Sequence, residues 1–142
     1  MATIRVEIDL SAPPRVVWDD ISRLATHVEW MADAESIDFL SGPREGVGTR
    51  MRVATRVGPF RTNDVMKVTA WEPPRLIAVS HQGLFTGEGQ FLAEPSGTGT
   101  RFRWEETIHF PWYLGGPIGA WLARPVLTAI WRGNLRRLAG RF

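Results

Sequence analysis

The stretch "WEPPRL" (residues 71–76) decides how this chain folds, because it separates two strand-like runs, "DVMKVTAW" (64–71) and "LIAVSHQ" (76–82). Proline fixes φ, has no N–H to give to a ladder, and drives the residue before it out of helical geometry. A Pro-Pro pair at this point is therefore a rigid corner where strand pairing stops and the chain turns back. A four-residue "EPPR" loop sets Trp71 opposite Leu76, Val68 opposite Val79 and Met66 opposite His81, with Asp64 beside Gly83.

Working outward, a short turn at "GLF" (83–85) sets His81 opposite Gly87 and Val79 opposite Gly89. A turn at "SGTG" (96–99) pairs Pro95 with Thr100, Phe91 with Trp104 and Gly89 with Glu106. Strand side chains alternate with period two, so these registers must agree in parity, and they do. One face collects Met51, Val53, Asp64, Met66, Val68, Ile77, Val79, His81, Phe91, Ala93, Phe102, Trp104, Glu106, Ile108 and Phe110. The other collects Arg50, Arg52, Arg56, Arg61, Lys67, Arg101, Arg103 and Glu105. A slip of one residue in any turn would destroy this division.

The rest of the chain fits around that sheet. "TIRVEIDL" (3–10) alternates as a half-buried strand. "SAPPRVVWDDI" (11–21) predicts a helix with Ser11 as N-cap and prolines in its first turn, and a short second helix is expected in "LATHVEWM" (24–31). Strands follow at about 34–40, 49–57, 60–71, 76–82, 86–95 and 100–110. The final segment, "LGGPIGAWLARPVLTAIWRGNLRRLAGRF", reads as a long helix with Leu114, Ile118, Trp121, Leu122, Val126, Ile130, Leu135 and Leu138 at helical spacing and a kink at Pro125. Arg124 is the single charge between Phe110 and Trp131, so a membrane span has to be weighed. That charge and the prolines at 111, 117 and 125 argue instead for a helix with one apolar face packed on a sheet. Strand, helices, six strands and a long helix make an α+β layer architecture.

Composition limits the chemistry. The 142 residues contain no Cys, which excludes disulfides, thiolate metal sites and a cysteine nucleophile, and suits a reducing, cytoplasmic setting. "MATIRVEIDL" alternates charge where an export signal needs an apolar run. The net charge of +2 hides an asymmetry: every acidic residue lies at or before Glu106, and Arg124, Arg132, Arg136, Arg137 and Arg141 follow it. Such a segment suits a helix C-terminus and its wet outer face, or contact with phosphate, anionic lipid or an acidic partner.

"SAPPRVVWDDI", "HVEWM", "GVGTRMR", "VTAWEPPRL", "HQGLFTGEGQF", "GTGTRFRWEE" and the terminal "NLRRLAGRF", in this order and spacing, resemble the START-like, polyketide cyclase/dehydrase-type (SRPBCC) superfamily that includes the birch-pollen allergen. The resemblance covers essentially the whole chain. It implies a single helix-grip domain over 1–142: a curved antiparallel sheet of about seven strands around a long C-terminal helix, with one or two short helices after the first strand. Members of that superfamily bind lipids, sterols, hormones or polyketides between sheet and helix, some catalyse cyclisation or dehydration there, and others act as co-chaperones.

Three ionisable residues, Asp64, His81 and Glu106, share the otherwise apolar face and are the candidate acid/base or ligand-orienting groups, with a purely structural pairing as the alternative. Gly87 and Gly89 between them suit either the floor of a ligand site or a bend in the sheet. Trp30, Met66, Val79, Gly87, Gly89, Phe91, Phe102, Trp104 and Trp121 are the expected ligand contacts. His27 and Trp30 suit a cavity entrance or a staple between helix and sheet; Trp112, Trp121 and Trp131 suit core or lid; His109 falls on the outward parity. No metal site, cofactor or nucleotide loop is expected, since the spacing offers no HxxxH or Gly-rich phosphate motif. The outer arginines lack the exposed aromatics that nucleic-acid binding needs, so no nucleic acid is expected. The leading expectation is binding, and carriage, of a hydrophobic small molecule, with peripheral membrane contact open. The alternative is a polyketide cyclase/dehydratase using His81 and Glu106, and the third reading a co-chaperone-like interaction module. Oligomeric state is left open by the sequence.

Overall fold

The computed structural model describes residues 2–142. Seven strands, β1 (Ala2–Leu10), β2 (Ala34–Phe39), β3 (Arg50–Val57), β4 (Phe60–Glu72), β5 (Leu76–Gln82), β6 (Thr86–Ser96) and β7 (Gly99–His109), form one antiparallel sheet in the order β1-β7-β6-β5-β4-β3-β2. Helix α1 (Pro14–Ile21) and a 3-10 helix (Leu24–Glu29) follow β1, and a 3-10 turn (Trp112–Leu114) leads into α2 (Gly116–Ala139). This is the helix-grip arrangement, with α2 packed mainly on β1 at one edge of the curved sheet.

Both outer hairpins hold the registers expected from parity: His81 opposite Gly87 and Val79 opposite Gly89, and Phe91 opposite Trp104 and Gly89 opposite Glu106. The "WEPPRL" corner differs at its tip. Glu72 pairs with Leu76 and Trp71 with Ile77, so three residues form the loop rather than four, and the Pro73–Pro74 peptide is cis. A bulge between Val68 and Ala70 absorbs the extra residue, and below it Val68 faces Val79 and Met66 faces His81 as expected. The bulge also turns Trp71 toward the core, where its ring meets Trp18 of α1 edge-on at 5.2 Å.

Two local expectations change. α1 begins with Pro13 as N-cap and has no side-chain cap, because the prolines already set the first-turn φ and remove a donor that Ser11 would have satisfied. The second helix closes as a 3-10 helix. α2 runs through Pro125, and its apolar positions do not all face one way. In its C-terminal half Trp131, Leu135 and Leu138 are buried, whereas Ile118, Trp121, Leu122 and Val126 are exposed. Towards the sheet, Ala123, Val126 and Leu127 border an open space. Space is left where a core would otherwise be.

Asn134 fixes the helix to the segment before β2. Fully buried, it donates from Nδ2 to Asp33 Oδ1 (2.7 Å), and its Oδ1 accepts from Ala32 N (2.9 Å) and from Arg137. Arg137 also donates to the Trp30 carbonyl at 3.0 Å. Beneath this anchor, Trp30, Phe91, Phe102 and Trp104 form an aromatic cluster with centroids 5.3–6.2 Å apart. Each large apolar side chain buried here stabilises the fold by about 2–3 kcal/mol.

Candidate functional site

Between α2 and the inner face of the sheet lies a cavity of about 500 Å³. Its wall is mainly Met, Val, Ile, Leu and aromatic side chains. The polar minority includes the three residues that register placed on this face: Asp64 of β4, His81 of β5 and Glu106 of β7. His81 Nε2 stands 3.3 Å from Glu106 Oε1, with both side chains almost fully buried. The pair is close but not aligned as a hydrogen bond, so the buried Nε2 has no satisfied partner. Trp104 Nε1 donates to the same Glu106 oxygen at 3.2 Å. Burial disfavours the imidazolium of His81, yet the Glu106 carboxylate, reinforced by Asp64, outweighs it and holds the His81 pKa above its ordinary value. Asp64 accepts from Thr62 Oγ1 (3.2 Å) and from the backbone N–H of Leu84 (3.1 Å).

The glycines divide into two kinds. A Cβ on Gly89 would stand 2.8 Å from Glu106 Cγ, so this glycine makes room for the Glu106 side chain on the cavity floor. Gly87 has φ +144°, and a Cβ there would collide with the Thr107 carbonyl oxygen, so it serves close backbone approach in the bend.

Of the expected ligand contacts, Met66, Val79, Gly89, Phe91 and Trp104 line the cavity, and four do not. Trp30 is 1% exposed and lies behind Phe91 and Trp104 in the core; Phe102 is fully buried against Phe91. Gly87 is closed off by the Thr107 backbone, and Trp121 is 65% exposed on the outer side of α2. Parity correctly assigns Phe102 to the inner face, but parity cannot say which inner residues are covered by others. For Trp121, the helical stripe turns outward before it reaches the cavity.

Two further titratable residues line the wall. His27 donates from Nε2 to the Ile21 carbonyl at 2.7 Å. A carbonyl only accepts, so the hydrogen is on Nε2. Burial pushes its pKa down to about 4, with Arg141 adding to the effect, against the opposing Ile21 hydrogen bond and Asp20. Asp33, which the sequence does not single out, accepts from Asn134 Nδ2 and from Trp131 Nε1 (3.3 Å). Burial raises its pKa despite these hydrogen bonds, with Glu106 adding to the rise. The rings of Trp131 and Trp104 stack at 4.6 Å with 14° between planes, so each of two cavity carboxylates holds the N–H of one indole of a stacked pair. In "MADAES" Asp33 looks like an ordinary loop residue; its partners come from about a hundred residues away. Among the described residues no group of three or more His, Asp and Glu is arranged to hold a metal ion.

Outside the cavity, Trp112 (86% exposed), Tyr113, Ile118, Trp121 and Leu122 form an apolar surface, and the neighbouring Leu114 and Val126 also line the cavity. Among the described residues no helix is long and apolar enough to cross a membrane.

A family model described as polyketide cyclase/dehydrase and lipid transport matches residues 1–142. Two uncharacterised proteins of Mycobacterium tuberculosis are 26% identical over 83 residues, 58% of this chain. The match spans only 58% of those relatives' own length. Among solved structures, a protein of Thermus thermophilus superposes with a TM-score of 0.78 at 22% identity, covering 99% of this chain and 96% of the other. The ZhuI aromatase/cyclase of a Streptomyces species gives 0.76 at 16% identity, covering 99% and 92%. Ara h 8.0201 gives 0.69 at 15% identity, covering 99% and 96%. At these identities the likeness is one of fold.

Proposed function

The chain belongs to the polyketide cyclase/dehydrase and lipid transport family, and on that premise we propose that it binds and carries a hydrophobic small molecule, lipid-like or polyketide-like, in the cavity under α2. The observation that supports this most is the cavity itself: about 500 Å³ of mainly apolar wall with a few convergent polar groups, which is the usual form of a small-molecule site. Apolar burial supplies affinity, and His81, Glu106 and Asp64 orient the polar end. A co-chaperone-like module would need little cavity, so a cavity of this size counts against that reading. We place the protein in the cytoplasm in the same reading. Native mass spectrometry after exposure to a lipophilic extract of host cells tests it, with His81→Ala and Glu106→Gln alongside. A discrete adduct weakened in both variants is expected; no adduct on three folded proteins would overturn binding.

A second reading, a cyclase/dehydratase, is favoured by the unaligned His81–Glu106 pair. Glu106 as base would take a proton beside a substrate carbonyl, the resulting enolate carbon would attack a second carbonyl of the same chain, and protonated His81 would give its proton to the new alkoxide. Under this reading Glu106→Gln lowers turnover by about 100-fold with ligand binding retained. Under the carrier reading it changes affinity modestly and there is no turnover to lose.

Ligand exchange at a membrane surface fits the exposed Trp112, Tyr113, Ile118, Trp121 and Leu122, which adjoin the cavity-lining Leu114 and Val126. The occupant we assign to this surface is anionic lipid, because no acidic residue follows Glu106 while Arg124, Arg132 and Arg136 lie on the same helix, all exposed. Co-sedimentation with vesicles of phosphatidylcholine and phosphatidylglycerol is expected, reduced in Trp112→Ser/Trp121→Ser. Equal recovery with purely zwitterionic vesicles, or dimerisation that consumes the patch, would refute the assignment.

A further inference from the structure

The charge of the cavity wall runs opposite to that of the protein. Among the described residues no Lys or Arg lines it, although the chain has 17 of them. Three carboxyl groups do: Asp33, Asp64 and Glu106. The imidazoles are His27, whose Nε2–H is committed to the Ile21 carbonyl, and His81, which stands against Glu106.

We propose that the cavity selects lipophilic amines over lipophilic carboxylates. This rests on the ligand-binding reading above and gives that ligand a chemical class. A carboxylate, sulfonate or phosphate taken into an apolar cavity needs a cation or several donors to replace its water. Among the described residues of this wall, His81, already set against Glu106, is the one group placed to act as a cation, while Asp33 and Asp64 would repel an anionic head. An ammonium finds the opposite situation. Three carboxyl groups share the wall with the aromatic side chains of Phe91, Trp104 and Trp131, and His81 can release its proton where Arg or Lys could not. Alcohols and phenols, which donate hydrogen bonds without charge, rank between the two.

Long-range attraction cannot mimic this order. The protein carries a net charge of +2, so bulk electrostatics favour anions at its surface, and a preference for amines must arise inside.

The probes are dodecylamine, dodecanol and dodecanoate, which share one apolar chain and differ only in the head. Each is titrated below its micellar concentration, with binding read from tryptophan fluorescence and by calorimetry. Dodecylamine is expected to bind at least about tenfold more tightly than dodecanoate, with dodecanol between. In Asp64→Asn/Glu106→Gln, checked by circular dichroism, the ratio of dodecylamine to dodecanoate affinity should fall below about threefold. Equal or tighter binding of dodecanoate overturns the selectivity while leaving the cavity as a binding site. An amine preference that persists in the double variant moves the selectivity away from these carboxylates and refutes their role. Failure of all three probes overturns the binding reading itself, and the amine preference with it.

Discussion

Acid should destabilise this protein through His27 in particular. The ring is buried, its Nε2–H is held by the Ile21 carbonyl at 2.7 Å, and its pKa falls from 6.5 to about 4. Between those values the unfolded chain binds a proton that the folded chain refuses. Stability therefore rises with pH across this window: the contribution is complete above about pH 6.5 and disappears as pH falls toward 4. Integrating from about pH 7 to about pH 4.5 gives a loss of about 2.5 kcal/mol from this one group. His27→Gln keeps an N–H near the position of Nε2 and removes the titration. Carboxylates titrate in both proteins and cancel in the comparison. Urea unfolding at the two pH values should thus show the unsubstituted protein losing about 2.5 kcal/mol more than the variant. An excess below about 1 kcal/mol would mean that His27 accepts a proton without unfolding, and the argument from burial would fail.

His81 should behave in the opposite sense: its pKa is held up by Glu106 and Asp64 against burial, so its contribution is full below 6.5 and lost as pH rises through the raised value. Nuclear magnetic resonance of its ring should show the pKa falling in Glu106→Gln; an unchanged titration would refute the pairing. Phe102→Ala should cost about 3–5 kcal/mol by denaturant unfolding, since that ring is fully buried, whereas Trp121→Ala should stay within about 0.5 kcal/mol. Comparable losses would mean that the outer side of α2 is not free. Gly87→Ala puts a methyl group into a backbone carbonyl and should destabilise by more than about 2 kcal/mol, while Gly89→Ala meets the movable end of Glu106 and should chiefly shift the His81 titration. Thermal melts together with the ring titration separate the two.

Most of the sheet was legible because its turns are short and chemically distinct, and because period-two alternation checks one hairpin against the next. His81, Glu106 and Asp64 could be placed on one face by counting alone. Depth could not be counted. Phe91 lines the cavity and Phe102, its neighbour on the same face, lies beneath it. Asp33 was hidden for a different reason: its setting comes from Asn134 and Trp131 on a helix remote in sequence, and nothing in its own neighbourhood signals burial. The long helix misled because an apolar stripe predicts a buried face, whereas here the N-terminal part of that stripe is largely exposed and Ala123, Val126 and Leu127 border a cavity.

The bulge in β4 makes the sheet tolerant of length change at one place. Thr69 is the unpaired residue, and only the residues between it and the corner depend on its presence. Deleting it would restore regular pairing with Trp71 still opposite Ile77 on the core face, while Val68, Met66 and Asp64 would keep their partners. The corner and the cavity are thus mechanically insulated from each other. A chain of this design can gain or lose a residue near its prolines and still present the same three polar groups to whatever the cavity holds.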